Sequence, residues 1–245
     1  MLALALAAVV GLSLGLLGAG GSILAVPILR YAAGLSAKQA VATSLATVGS
    51  VALVGSIIAW KEGRLRTTAA VQFALIASLG TTLGVRVATL LSDKAQMALF
   101  LVVMAVALIA MTRSGPELNA ETPTPGWVSI IAQALGVGVL TGLVGVGGGF
   151  LIVPALMSIY RLPIKEATGS SLAVIAINSF LGMASYAQSM TLDWTFTLEF
   201  VGSALVGLLL GLAAGRKVES RTTERIFFAA VVSVGLYTLV AEFGP

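Results

Sequence analysis

Long uncharged stretches alternate with short polar ones along this chain. No charged side chain occurs between Met1 and Arg30, and Gln39–Trp60, Thr67–Val85, Ala95–Thr112, Thr122–Tyr160, Ala167–Leu192, Phe200–Gly215 and Ile226–Ala241 are equally free of charge. Crossing a hydrocarbon core takes about 20 apolar residues, so eight hydrophobic blocks predict an all-α, polytopic transmembrane helical bundle. A membrane β-barrel would show short segments alternating between apolar and polar positions, a pattern the chain lacks. Nor does the start read as a cleavable signal peptide, because no basic region precedes the apolar run and the run continues past any plausible cleavage site.

The blocks repeat in one fixed register, which lays Gly15 over Gly142. Gly15–Pro27 (GLLGAGGSILAVP) aligns with Gly142–Pro154 (GLVGVGGGFLIVP), and Lys38–Ala46 (KQAVATSLA) aligns with Lys165–Ala173 (KEATGSSLA). Fifteen of the 32 positions from Gly15 to Ala46 are identical to their counterparts, and the register continues without a gap through Gly55/Gly182, Gly80/Gly207, Gly84/Gly211 and Phe100/Phe227. Compositional bias would scatter Leu and Ala matches but would not align two glycine clusters, two prolines and two lysines. Arg113–Gly126 (RSGPELNAETPTPG) is dense in Pro, charge and small polar residues. It reads as a linker between a first repeat, residues 1–112, and a second, residues 127–245.

The first block of each half is interrupted. Met1–Gly34 as one helix would be about 50 Å long, against about 30 Å of hydrocarbon. Gly18, Gly20 and Gly21 fall in its middle, and Gly145, Gly147, Gly148 and Gly149 occupy the same place in the second half. Each glycine inside a helix costs about 1 kcal/mol relative to Ala, so the clusters favour breaks. Pro27 and Pro154 suit the first turn of a helix that starts after the break. Broken backbone is tolerated at membrane depth only where protein or a water-filled cavity satisfies it. Free N–H groups of a glycine turn at a helix start bind anions without a charged side chain. Ser22, and Thr43, Ser44, Ser170 and Ser171 on the following helices, would add hydroxyls. Against this stand two plainer readings: small residues mediate close helix packing in membranes, and helical Ser and Thr often bond their own preceding carbonyl.

At these residues the sequence resembles the TauE/SafE family of sulfite exporters, also called the toluene-sulfonate uptake permease family. The resemblance rests on GLLGAGGSILAVPIL, GLVGVGGGFLIVPAL and the KQAVATSLA and KEATGSSLA stretches, and it covers essentially the whole chain. It implies a permease of the bacterial inner membrane for small sulfur-containing or carboxylate anions such as sulfite, sulfoacetate and other sulfonates. One departure is that Ser22 stands where the second half has Gly149, so the halves are not expected to contact substrate identically.

Composition narrows the chemistry. The chain has no Cys and no His, which removes disulfides, histidine metal ligands and the Ser–His or Cys–His pairs that activate nucleophiles. No GxxxxGK[ST] nucleotide motif occurs, and no cofactor is implied. The net charge of +4 reads as loop bias for membrane orientation rather than a nucleic-acid footprint. Arg86 and Glu199 are the charges inside blocks. Arg86 either snorkels to the interface or faces the pathway; Glu199 either sits at the interface or carries a coupling proton. Lys38 and Lys165 either draw anions to the mouth or anchor helix ends. Tyr31, Trp60, Trp127, Tyr160 and Trp194 lie at block ends, as an interfacial aromatic belt requires.

If every block crosses once, the halves are parallel; if each broken block is a re-entrant hairpin, each half crosses three times and the halves are inverted. Lys and Arg divide ten to four between the faces in both arrangements, so charge bias does not separate them. The block count favours eight crossings. The sequence thus predicts a permease that binds a small anion in the bilayer and works as a secondary transporter, with homo-oligomers left open. A passive anion channel is the alternative within transport. An intramembrane enzyme lacks activating side chains, and a non-transporting scaffold has no need of paired, costly breaks.

Overall fold

In a computed structural model, residues 2–112, 126–145, 147–215 and 220–243 are described. They are almost wholly helical, with no strand among them. Helix α1 is Leu2–Leu17, followed by a 3₁₀ segment Gly18–Leu24, a short α2 at Ala25–Pro27 and a π-helical turn Ile28–Ala32. Then come α3 (Ala37–Lys61), α4 (Thr67–Leu90) and α5 (Asp93–Thr112). The second half supplies α6 (Trp127–Val144), α7 (Gly149–Tyr160), α8 (Ile164–Ala187), α9 (Trp194–Gly215) and α10 (Ser220–Phe243). The expected linker lies, except for Gly126, outside the described residues.

Five helices are long and apolar enough to cross a membrane: α3, α4, α6, α8 and most of α9. The bundle is apolar outside. Leu75, Leu79, Leu83, Val87 and Leu90 form an exposed stripe down α4, while Ser44, Thr47, Thr81, Thr141 and Asn178 are fully buried. That inversion suits lipid as the solvent. This is a multi-pass membrane protein.

The helix contacts repeat in the register of the sequence. Helix α1 packs chiefly on α9, α6 on α4, and α3 on α8. A Cβ on Gly11 would overlap the Ala204 carbonyl, and one on Gly138 would overlap the Ala77 carbonyl; Gly80 meets Leu135 as Gly207 meets Ala8. Within each pair, one contact is the other with both partners moved to their repeat counterparts. The glycines are therefore packing surfaces, bringing backbones close enough for dispersion contacts that bulkier side chains would prevent. The first helix of each half is held by a helix of the other half, so the halves interlock.

The same contacts fix direction. Gly55 lies against Leu172 and Gly182 against Leu45, so α3 and α8 run antiparallel. Gly138 and Gly142 lie against Ala77 and Thr81, and Gly11 and Gly15 against Ala204 and Leu208; α6 is parallel to α4, and α1 to α9. The halves are inverted about a pseudo-two-fold axis through the α3–α8 pair. This corrects the eight-crossing expectation, because the broken blocks do not cross. Gly21 lies back beside Ser13 and Leu14, with the Ser13 hydroxyl 3.2 Å from the Gly21 carbonyl. Gly148 likewise returns to Thr141 and Val137. In a continuous helix the rise alone would hold Gly21 about 12 Å from Ser13 and Gly148 about 16 Å from Val137. Each broken block is a re-entrant hairpin, and block counting missed it because a hairpin arm is as apolar as a span.

One face gathers the exit of the first hairpin, the starts of α3 and α5 and the end of α10. Arg30 bonds Glu242 at 3.2 Å and the Leu35 carbonyl at 3.0 Å, Tyr31 donates to Glu242 at 3.1 Å, and the Ala37 N–H donates to Asp93 at 3.1 Å. The opposite face carries Lys61, Arg66 and the start of α8, where Arg66 forks onto Glu166 at 2.6 and 2.7 Å. In this chain free of native cysteine, Lys61→Cys and Lys165→Cys should label from one side of the membrane and Lys94→Cys from the other; eight parallel crossings would place Lys94 with Lys165. Gly138→Leu should lower the melting temperature in detergent, as overpacking of about 1–3 kcal/mol does, whereas Gly136→Leu, which points into open space, should not.

Candidate functional site

The two hairpin tips enter from opposite faces and meet. Gly147, at the turn of the second hairpin, lies between Val48 of α3 and Ile175 of α8, and a Cβ there would stand 3.7 Å from the Ser22 hydroxyl of the first hairpin. Val48 and Ile175 are counterparts in the repeat and flank the turn from the two central helices, so the breaks converge near the pseudo-two-fold axis. Ser22 is fully buried.

Local sequence explains the second turn. Gly145, Gly147 and Gly148 have φ of 74°, 69° and 66°, the left-handed region that glycine enters without steric penalty. Gly145 ends α6, its N–H returning to the Thr141 carbonyl at 2.9 Å, and Gly148 starts α7. Gly149 is the first residue of α7. Pro27 lies in the first turn of the helical run that starts at Ala25, as expected, whereas Pro154 sits inside α7, beyond its first turn, which corrects the expectation for the second half. The glycines set the helix start, and Pro154 falls just beyond the first turn, where its missing N–H forgoes only the bond back to residue 150. In the first half Gly18, Gly20 and Gly21 lie in the 3₁₀ segment, a tighter path with poorer hydrogen-bond geometry.

Several expected hydroxyls are committed to structure. Ser44 donates to the Gly145 carbonyl at 2.8 Å, satisfying an acceptor that the break frees. Ser170 accepts the Arg66 N–H at 2.9 Å, and Ser171 donates to the Thr168 carbonyl of its own helix at 2.8 Å. Thr43 is buried on α3. The expected charges sit at the surface. Arg86 and Glu199 are exposed on the outer sides of α4 and α9, and Lys165 is exposed at the start of α8. Lys38 donates to the Thr89 carbonyl at 2.8 Å, tying α3 to the end of α4.

Access is unequal. A cavity of about 220 Å³ runs in from the Lys61 face between the first hairpin tip, α3, α8 and α9; its walls include Leu14, Val51, Gly55, Thr168, Leu172 and Arg64. A wider one of about 520 Å³, lined by Glu62, Arg64, Ile58 and Leu212, shares its mouth. The symmetry-related route on the other face is packed shut. Leu16, Leu172 and Leu212 are partly exposed, but their counterparts Leu143, Leu45 and Val85 are 8%, 0% and 2% exposed. Tyr186 seals that side. Its hydroxyl donates to the Gly142 carbonyl at 3.0 Å, and Gln96 donates to the Leu143 carbonyl at 3.0 Å and to the Tyr186 oxygen at 3.1 Å. The counterpart of Tyr186 in the first half is Ala59, too small to fill the same space.

Sequence reasoning singled out none of Gln96, Tyr186, Asn178 and Arg64. A signal existed for two of them. Asn178 and Tyr186 are polar or bulky where the repeat has Val51 and Ala59, and such mismatches mark where two otherwise equivalent halves do different work.

Inverted repeats whose broken hairpins meet between two central helices recur in membrane transporters. The chain matches the family described as Sulfite exporter TauE/SafE over residues 3–238, and it belongs to that family. It is 35% identical to a probable membrane transporter protein of Xylella fastidiosa (strain 9a5c) over 94% of this chain and 91% of the relative. It is 26% identical to the probable membrane transporter protein YunE of Bacillus subtilis over 90% of each. No solved structure matches the chain.

Ser44→Ala should leave the Gly145 carbonyl without its partner and cost about 1–3 kcal/mol, read as a lower melting temperature, with Ser50→Ala, a hydroxyl bonded only to its own helix, as the mild control.

Proposed function

We propose that the protein carries a small anion across the cytoplasmic membrane of a bacterium, with the anion held at the meeting of the two glycine breaks. The observation that carries this reading is the approach of Gly147 to Ser22 between α3 and α8. A turn of left-handed glycines opening onto α7 offers backbone N–H groups and the positive end of a helix in a low-dielectric setting, where such dipoles act strongly on an anion. Sulfite, sulfonates and small carboxylates fit that chemistry. The name of the family supports the sulfur oxyanions among them. Arg64 at the cavity mouth, ion-paired with Glu62 through its Nε at 2.7 Å, places guanidinium N–H groups where the anion enters.

The positive-inside rule assigns the Lys61 face, with Arg64, Arg66, Arg161 and Lys165, to the cytoplasm. The cavity then opens inward and the Tyr186 seal faces out. A route open on one side and sealed on the other favours a carrier over a passive channel, and exchange of conformation between the halves would give the outward-open state. No titratable side chain lines the cavity except Glu62 and Arg64 among the described residues. Any coupling proton would therefore travel on the substrate or on that pair. A carrier of this kind needs neither catalytic side chains nor a cofactor.

Proteoliposomes holding the purified protein should show saturable uptake of at least one labelled anion from a panel of sulfite, short sulfonates and small carboxylates, with acceleration by the same anion on the opposite side. Absence of flux across the panel would overturn the reading, and flux without trans-acceleration would replace the carrier by a channel. Gly147→Leu, which drives a side chain into Val48 and Ile175 at a left-handed residue, should reduce flux by about 100-fold or more, as displacement of bound groups by an ångström does. Gly202→Leu, pointing into open space, should not.

A further inference from the structure

Asn178 lies near the middle of α8 and is fully buried, and neither atom of its carboxamide has a hydrogen-bond partner. The neighbouring Ser179, also fully buried, has an unpartnered hydroxyl. These two adjacent residues hold three of the five partnerless buried side-chain polar atoms among the described residues. Buried polar groups are almost always paired, so a cluster of orphans beside a proposed binding site asks what pairs with it.

Position gives the answer. Helix spacing puts Asn178 on one face with Ile175 and Gly182. Ile175 abuts Gly147 of the second break, and Gly182 abuts Leu45 and Thr81, while Gly49 of α3 lies against Ser179. The repeat counterpart of Asn178 is Val51, which lines the cavity open to the Lys61 face. Asn178 thus occupies the equivalent wall of the sealed route, next to the meeting of the breaks.

We infer that Asn178 and Ser179 form a polar subsite that selects small oxyanions carrying a hydrogen-bond donor of their own, a hydroxyl or an acid proton, over equal-sized anions that carry none; this rests on the anion-carrier reading above. A carboxamide presents one acceptor and a pair of N–H donors whichever way it is flipped. An anion with acceptors alone can take the N–H and the serine hydroxyl, but it leaves the amide oxygen unpaired and facing like partial charge. An anion with an O–H satisfies both ends. Sites built to hydrogen-bond a substrate hydroxyl reject the analogue that lacks it more strongly than apolar pockets discriminate by size.

The matched probes are 2-hydroxyethanesulfonate and ethanesulfonate, which differ by one hydroxyl. Each competes against uptake of whichever labelled anion the wild-type protein carries in proteoliposomes. The readout is the ratio of their half-inhibiting concentrations, which a general loss of rate does not move. The wild type should favour the hydroxylated sulfonate by about tenfold or more, and Asn178→Leu by about twofold or less. Asn178→Thr, which keeps a donor and an acceptor, should retain an intermediate preference and covers the case in which the Leu variant does not fold. A wild-type ratio near one, no competition from either probe, or a preference unchanged in both variants overturns the subsite while leaving the carrier intact. Absence of any anion flux in the wild type instead overturns the carrier reading and the subsite with it.

Discussion

A chain that leaves helical geometry inside a bilayer exposes N–H and C=O groups that lipid cannot satisfy. Everything else in this fold follows from enclosing two such departures. Each hairpin is shielded by a helix from the opposite half, α9 for the first and α4 for the second, and the central α3–α8 pair closes over both tips. Ser44 reaches from α3 to the Gly145 carbonyl, and Gln96 and Tyr186 reach from α5 and α8 to the Leu143 and Gly142 carbonyls. The freed acceptors at the end of α6 are thus met by side chains from three different helices. The close backbone approaches at Gly11, Gly80, Gly138 and Gly207 let the shielding helices lie near enough to exclude lipid.

Much of this was legible in the sequence. The apolar blocks gave the helices, and the helix contacts, though not foretold, follow the register of the internal repeat. The glycine clusters marked the breaks because glycine is costly in a helix and free in a left-handed turn. What stayed hidden was direction. Hydropathy weighs a residue without regard to which way the chain travels, so the arms α1 and α6 looked like crossings, and α6 at 18 residues is long enough to be one. The division of lysines and arginines was the same in both arrangements and so carried no information.

At the candidate site, the backbone breaks were legible and the surroundings of the side chains much less so. Gly145, Gly147, Gly148 and Ser22 fall where the pattern placed them, yet Ser170 is spent on the start of α4 and Ser171 on its own helix. Arg86 and Glu199 were singled out because charge is rare in apolar blocks, but rarity does not say which side of a helix a residue occupies, and both face outward. The residues that distinguish the two routes, Tyr186 against Ala59 and Asn178 against Val51, look unremarkable until the halves are superposed in register.

The interlocking of the halves has a consequence for what a single half could do alone. A single half would carry a hairpin with no helix to cover it, because its own α4 is shaped to hold the other half's α6. Two copies of one half, inserted in opposite senses, would cover each other. The smallest unit of this architecture that covers its own hairpins is therefore a pair of halves, one right side up and the other upside down. Within one chain the two copies need not be identical, and here they are not: one side has the small Ala59, the other Tyr186 latched by Gln96.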